Sequence, residues 1–204
     1  MTFLTRTARV GKAPMNTYLL DLANRYLEPH PTSVGGDDPR SRKYALATRS
    51  RGVGADMSGF GMLTVTWVTK VSDLYAFVVE FDRMPRENNR LEAGVISARE
   101  KCLHEFVRYQ RRAATRGAHS SFEIQILEAI PGWSWNPHDD AWKHRFAEYK
   151  KFLLAETRAP RSRSAERHEK LLAAWAATQR RVNRQGNLPD HRQDQLVSLS
   201  VWAW

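Results

Sequence analysis

The stretch from Arg99 to Trp135 is written a second time from His168 to Trp204, and this duplication constrains the fold more than any other feature. R-E-K-C-L-H-E-F-V-R-Y-Q-R-R-A-A-T-R-G, a polar turn and I-L-E-A-I-P-G-W-S-W stand against H-E-K-L-L-A-A-W-A-A-T-Q-R-R-V-N-R-Q-G, a polar turn and Q-L-V-S-L-S-V-W-A-W. Gln110 answers Gln179, Arg111 and Arg112 answer Arg180 and Arg181, Gly117 answers Gly186, and Trp133 and Trp135 answer Trp202 and Trp204, all 69 residues apart. A register kept through helix, turn and helix divides the 204-residue chain into small units joined end to end.

Each copy reads as three helices. In the first helix of residues 67–134, Leu74, Phe77, Val78 and Phe81 share a face and Met84-Pro85 closes it. In residues 135–204 the face is Trp142, Phe146, Tyr149 and Leu153, with Asn136-Pro137 as cap and first turn and Asp139 and Asp140 at the positive end of the dipole. Matching Leu74 to Trp142 and Phe81 to Tyr149 gives a spacing of 68. Ser97 with Glu100 reads as a capping box opening the middle helix. Gln110 and Gln179 fall on the apolar side of the middle helices, where a glutamine is expected to satisfy a backbone group. Gly117 and Gly186 end those helices as left-handed caps, and a third short helix leads into W-x-W.

The remaining chain is looser. Residues 1–15 carry Arg6, Arg9 and Lys12 without an acid and read as a basic arm. A helix from Asn16 to Leu27 ends before Pro29, Pro31, Gly35 and Gly36. Residues 16–66 form a degenerate third unit, in which T-R-S-R-G stands for Q-R-R and the glycine, and Trp67 for the closing tryptophan. The fold class expected is all-α: a tandem array of small three-helix bundles with helix-turn-helix character, at 16–66, 67–134 and 135–204. Units this short bury little surface, so the seven tryptophans are expected chiefly in their cores.

The formal net charge is +10, shared as +4 over residues 1–66, +1 over 67–134 and +5 over 135–204. That balance favours a polyanionic partner. Arg108, Arg112 and Arg116 recur every four residues opposite Leu103 and Val107, with Arg111 at the edge, and Arg180, Arg181 and Arg184 keep much of that row. Planar guanidinium groups suit phosphate oxygens. In a helix-turn-helix reading the first residues of the third helices would face base edges: Ser120, Ser121, Glu123 and Gln125, then Asp190, His191, Arg192 and Gln193.

Enzyme motifs are missing. The seven histidines form no H-E-x-x-H, Cys102 has no partner cysteine, and the glycines at 52, 54, 59 and 61 precede no Lys-Ser/Thr pair. No enzymatic activity, cofactor or metal is therefore expected. A single cysteine fits a reducing compartment. With no long apolar run and no leader evident, the location expected is the cytoplasm, or the nucleoid of a bacterium, without membrane contact. Arginine outnumbers lysine 24 to 8, which suits a high-GC bacterial or phage genome.

W-x6-W-x3-F-x2-Y at Trp135 to Tyr149, L-x2-W-x3-Q-R-R at Leu172 to Arg181, the glycine turn at Gly186 to Leu188 and the final L-x5-W-x-W resemble the helicase-associated domain. Such domains occur in tandem in bacterial helicases and in actinobacterial and phage proteins. The resemblance implies three-helix units with a nucleic-acid-binding role, but the chain lacks the phosphate loop of a motor. Double-stranded DNA is thus the expected partner, held by Arg108, Arg111, Arg112, Arg116, Arg180, Arg181, Arg184, His191, Arg192 and Gln193, in a phage or plasmid regulatory or accessory factor. The alternative is a protein-docking module for a host replication or transcription enzyme.

Overall fold

The computed structural model describes residues 17–28, 38–87, 95–199 and 201–204. The basic arm at 1–15, the breakers Pro29, Pro31, Gly35 and Gly36, and much of the loop from Pro85 to Ile96 lie outside these residues. Among the described residues the secondary structure is entirely helical: α1 (Thr17–Leu27), α2 (Pro39–Gly52), α3 (Met62–Phe81), α4 (Ala98–Ala114), α5 (Ser121–Glu128), α6 (Pro137–Glu156), α7 (Arg167–Arg184) and α8 (Asp190–Val197). The chain divides into two compact units, Met1–Trp135 and Asn136–Trp204.

In the N-terminal unit one core is built from five helices. Leu19 and Ala23 of α1 and Ala45 and Ala47 of α2 are buried together with Trp67, Val71, Leu74 and Phe77 of α3, Leu103 and Val107 of α4, and Phe122 and Ile126 of α5. The segment expected as a separate unit at 16–66 thus shares the core of the helices that follow it. Trp67 does not close that segment: it lies within α3, which starts at Met62 and buries seven side chains. The helix ends at Phe81 through Asp82 in the left-handed region (φ 50°), ahead of Met84-Pro85. Phe81 falls on the expected buried face but is 47% exposed: it is the last residue of α3, with its ring against Phe77 and the core reached only by Val78 in that turn. By length and composition α3 could also cross a membrane. That departs from the expectation of no such segment; its buried side chains belong to the core of the N-terminal unit, while Met62, Leu63, Val79 and Phe81 are exposed.

The junction of α2 and α5 is polar and tightly joined. The Ser120 side chain accepts the Glu123 amide while the Glu123 carboxylate accepts the Ser120 amide, a complete capping box. Glu123 is buried and meets the Arg40 guanidinium from α2 at 2.9 Å. His119 Nε2 lies 2.9 Å from the Gln110 carbonyl, and its Nδ1 stands 3.9 Å from Glu123, an ion-pair distance. Ser41 Oγ accepts the Phe122 amide at 3.1 Å, and Tyr26 and Ser121 share a 2.9 Å hydrogen bond. Ser97 caps α4 by accepting the Glu100 amide at 3.1 Å. The expected return bond of that box is replaced, because Glu100 turns to Arg83 and to the Arg86 amide.

The C-terminal unit is three helices around Trp142, Tyr149 and Leu153 of α6, Leu172 and Ala176 of α7, and Leu196 of α8. Asn136 Oδ1 accepts the Asp139 amide at 3.2 Å and Pro137 occupies the first turn, so α6 starts where its sequence says it should. Trp142 stacks on Phe146, and Tyr149 contacts both Trp175 and Trp202. Gly117 and Gly186 have φ of 62° and 70°, the left-handed turns that release α4 and α7.

The Glu123 cluster sets a pH signature. Burial pushes this carboxyl up, but His119, the Ser120 amide and Arg40 outweigh it and hold its pKa at about 2, below the ordinary 4.5. The same pairing with Glu123 raises His119 above 6.5 against the opposing effect of burial. The carboxylate's contribution is present above pH 4.5 and fades as pH falls toward 2. The imidazole's contribution is present below 6.5 and fades as pH rises through its elevated value. Glu123→Gln is expected to flatten the acid limb and remove about 2 kcal/mol at pH 5. Denaturant unfolding from pH 2 to 9 checks this; an unchanged acid limb contradicts it.

Candidate nucleic-acid interface

In each unit the face that could meet a polyanion lies on the middle helix, α4 in one and α7 in the other, and a buried bond fixes how that helix is turned. Gln110 of α4 accepts the Trp67 indole N–H at 3.1 Å, and Gln179 of α7 accepts the Trp142 indole N–H at 2.9 Å. Both glutamines are buried, 2% and 7% exposed, so the residues on the opposite side of each helix must face water. The expected role of these glutamines is therefore corrected: the partner is an indole, because a ring from the preceding helix reaches the position before any backbone group does.

Further contacts recur in both units. Arg83 over the Phe77 ring and Arg158 over the Phe152 ring each grip a buried carboxylate, Glu100 and Glu169, through two nitrogens. The same carboxylates accept the Arg86 and Arg161 amides at 2.9 and 2.7 Å. Arg158, helped by the Arg161 amide, holds the Glu169 carboxyl at about 2. Asp82 and Thr157 both bend left-handed at the helix end just before these arginines. All these pairs place Trp67 against Trp142 and Leu74 against Tyr149, a spacing of 75 in the first helices in place of the expected 68. The slip is seven residues, two helical turns, which leaves an apolar face almost unchanged.

The expected arginine row separates into two kinds. Arg111 lies over the Trp133 ring, 5.6 Å from its centre, and donates from Nε to the Ser134 carbonyl at 2.7 Å. Arg180 does the same with the Trp202 ring at 4.5 Å and the Ala203 carbonyl. Burial pulls the Arg111 guanidinium down from its ordinary pKa. These two arginines clasp W-x-W to the middle helix. Arg108, Arg112, Arg116, Arg181 and Arg184 are exposed. Arg108 pairs with Glu105 at 2.7 Å, and Arg116 donates from Nε to the Arg112 carbonyl at 3.3 Å.

The third helices engage most of their first-turn polar groups internally. Ser120 and Glu123 complete the capping box and Ser121 is bonded to Tyr26 and Ser41, so of the four expected readers on α5 only Gln125 faces water without such a role. On α8, Arg192 donates to Asp139 at 2.8 Å and lies over the Trp142 ring, and Gln193 donates to the Leu188 carbonyl at 3.0 Å. His191 is exposed, flanked along the chain by Asp190 and followed by Asp194, both exposed. Lys143 and Arg192 together hold the Asp139 carboxyl at about 2. Capping residues and reading residues are the same types at the same positions, which is why the sequence could not separate them.

A hollow of about 290 Å³ in the N-terminal unit is lined by Ala114, Gly117, His119, Ile124, Glu128 and Trp135, with no lysine or arginine. Among the described residues no group of three His, Cys, Asp or Glu side chains is placed to hold a metal ion.

Two substitutions separate clasp from surface. Arg180→Ala is expected to lower the melting temperature by losing a cation–π contact and a hydrogen bond, about 1 to 2 kcal/mol, whereas Arg181→Ala should stay within about 0.5 kcal/mol of the parent. Gln179→Leu, which strands the Trp142 indole N–H, is expected to cost about 1 to 3 kcal/mol. Thermal unfolding by circular dichroism reads all three; equal effects of Arg180→Ala and Arg181→Ala contradict the assignment. Comparison of the chain with protein-family models, with curated proteins and with solved structures finds no match.

Proposed function

We propose that this chain binds nucleic acid, with double-stranded DNA as the ligand, through phosphate contacts from the exposed arginines of α4 and the turn after it, Arg108, Arg112 and Arg116, and of α7, Arg181 and Arg184. The observation that carries the reading is a repeated internal scaffold: the indole–glutamine bond, the arginine–glutamate grip and the arginine clasp on W-x-W recur while exposed arginines stay on the outer side of both middle helices. The net charge of +10 supports the same partner.

In this reading the chain carries two repeat-related units of the helicase-associated kind, a five-helix N-terminal one and a three-helix C-terminal one, without a motor, and acts as an accessory or regulatory DNA-binding factor. Recognition is mainly by phosphate, since α5 and α8 use most of their first-turn polar groups internally. A docking module for a host enzyme is the second reading. It is favoured by Val53, Met62 and Leu63 of the N-terminal unit, which are 65%, 84% and 83% exposed.

Duplex affinity measured between about 50 and 200 mM salt is expected to fall steeply, and Arg181→Ala/Arg184→Ala to weaken binding and reduce the logarithmic salt slope by about 2. Binding indifferent to salt, or undetectable, removes the reading. A protein partner retained from nuclease-treated lysate with no duplex affinity would favour docking instead.

A further inference from the structure

We propose that Tyr109 is a stacking platform for an unpaired base, so that the N-terminal unit holds a single-stranded tail beside a duplex. The proposal rests on the phosphate-binding reading above and extends it to a second kind of site on the same helix. Tyr109 is 64% exposed on α4, outside the helix's buried residues Glu100, Leu103, Val107, Gln110 and Ala113. Arg108 precedes it, and Arg112 follows one turn later, about 60° away around the helix. Arg116 lies in the turn beyond Ala114, and its Nε bond to the Arg112 carbonyl at 3.3 Å folds it back along this row. Glu105, the one acid of the row, is engaged by Arg108 at 2.7 Å. An aromatic face bordered by cations fits a base with its flanking phosphates, since every base has a π-face and the cations need only the backbone. Charge complementarity therefore selects a nucleic acid over an apolar partner for this face.

The second copy serves as an internal control. The residue matching Tyr109 is Thr178, whose hydroxyl donates to the Ala174 carbonyl at 3.0 Å, while Arg181 and Arg184 remain exposed. The C-terminal unit thus keeps the phosphate row without the ring. Base stacking should belong to α4 and not to α7.

Fluorescence anisotropy of the full chain against a blunt duplex, and against the same duplex carrying a single-stranded thymidine tail, tests this. The tailed duplex is expected to bind about fivefold tighter or more, the low end of what stacking one base contributes. Tyr109→Ala should erase that preference without changing blunt-duplex affinity, and Tyr109→Phe should keep it. Arg181→Ala/Arg184→Ala should weaken both ligands alike. Equal affinity of the parent for both duplexes, a preference that survives Tyr109→Ala, or one lost in a folded Tyr109→Phe overturns the stacking site while leaving phosphate binding in place. Failure of the parent to bind either duplex overturns both readings, with circular dichroism confirming that each variant is folded.

Discussion

Two buried hydrogen bonds, Trp67 indole to Gln110 and Trp142 indole to Gln179, are the constraint from which the surface follows. A helix packed only by leucine and alanine can rotate or slide with small loss, because apolar contact has no direction. A directed bond in a dry core removes that freedom, since an indole N–H left without an acceptor there would cost more than the bond itself contributes. Each glutamine sits at the same register as an Arg-Arg pair in the next two positions, so locking the helix inward also decides which guanidinium clasps W-x-W and which meets water.

The arginine–glutamate grips complete the arrangement from the other end. Glu100 and Glu169 each take two guanidinium nitrogens and a backbone amide, joining the end of the first helix to the start of the middle one. A nearly buried carboxylate is tolerable because its oxygens are met by several donors at once. The connection between first and middle helices can then vary in length, as it does between the two copies, without changing how they meet. In the N-terminal unit a further acidic centre, Glu123, joins α5 to α2, and α1 and α2 share a core with the helices that follow.

Much of this was legible in the chain. The all-helical class, the repeat from Arg99 to Trp135, the Asn136-Pro137 start of α6 and the glycine turns follow from pattern and from backbone preference, which act locally. The register of the first helices was not legible from apolar period, because a slip of seven residues preserves the face. A better signal was present: R-M-P-R at Arg83 to Arg86 and R-A-P-R at Arg158 to Arg161 repeat at a spacing of 75, and each opens the grip on a glutamate. Local pattern put Arg111 at the edge of the row but could not show that it is held inside, nor tell Arg180 from Arg181 or Arg192 from His191. Adjacent residues on a helix differ by about 100° in direction, and only the position of Trp133, Trp202 and Asp139 in space decides which of them is held inside.

The division between clasping and outward arginines is the centre of this account, and the guanidinium groups themselves can report it. In a titration of the chain with duplex DNA followed by the Nε–H resonances of arginine, Arg108, Arg112, Arg116, Arg181 and Arg184 should shift while Arg111, Arg180 and Arg192 stay still. Shifts concentrated at the clasping arginines, or none at the outward row under conditions where the duplex is bound, would contradict it.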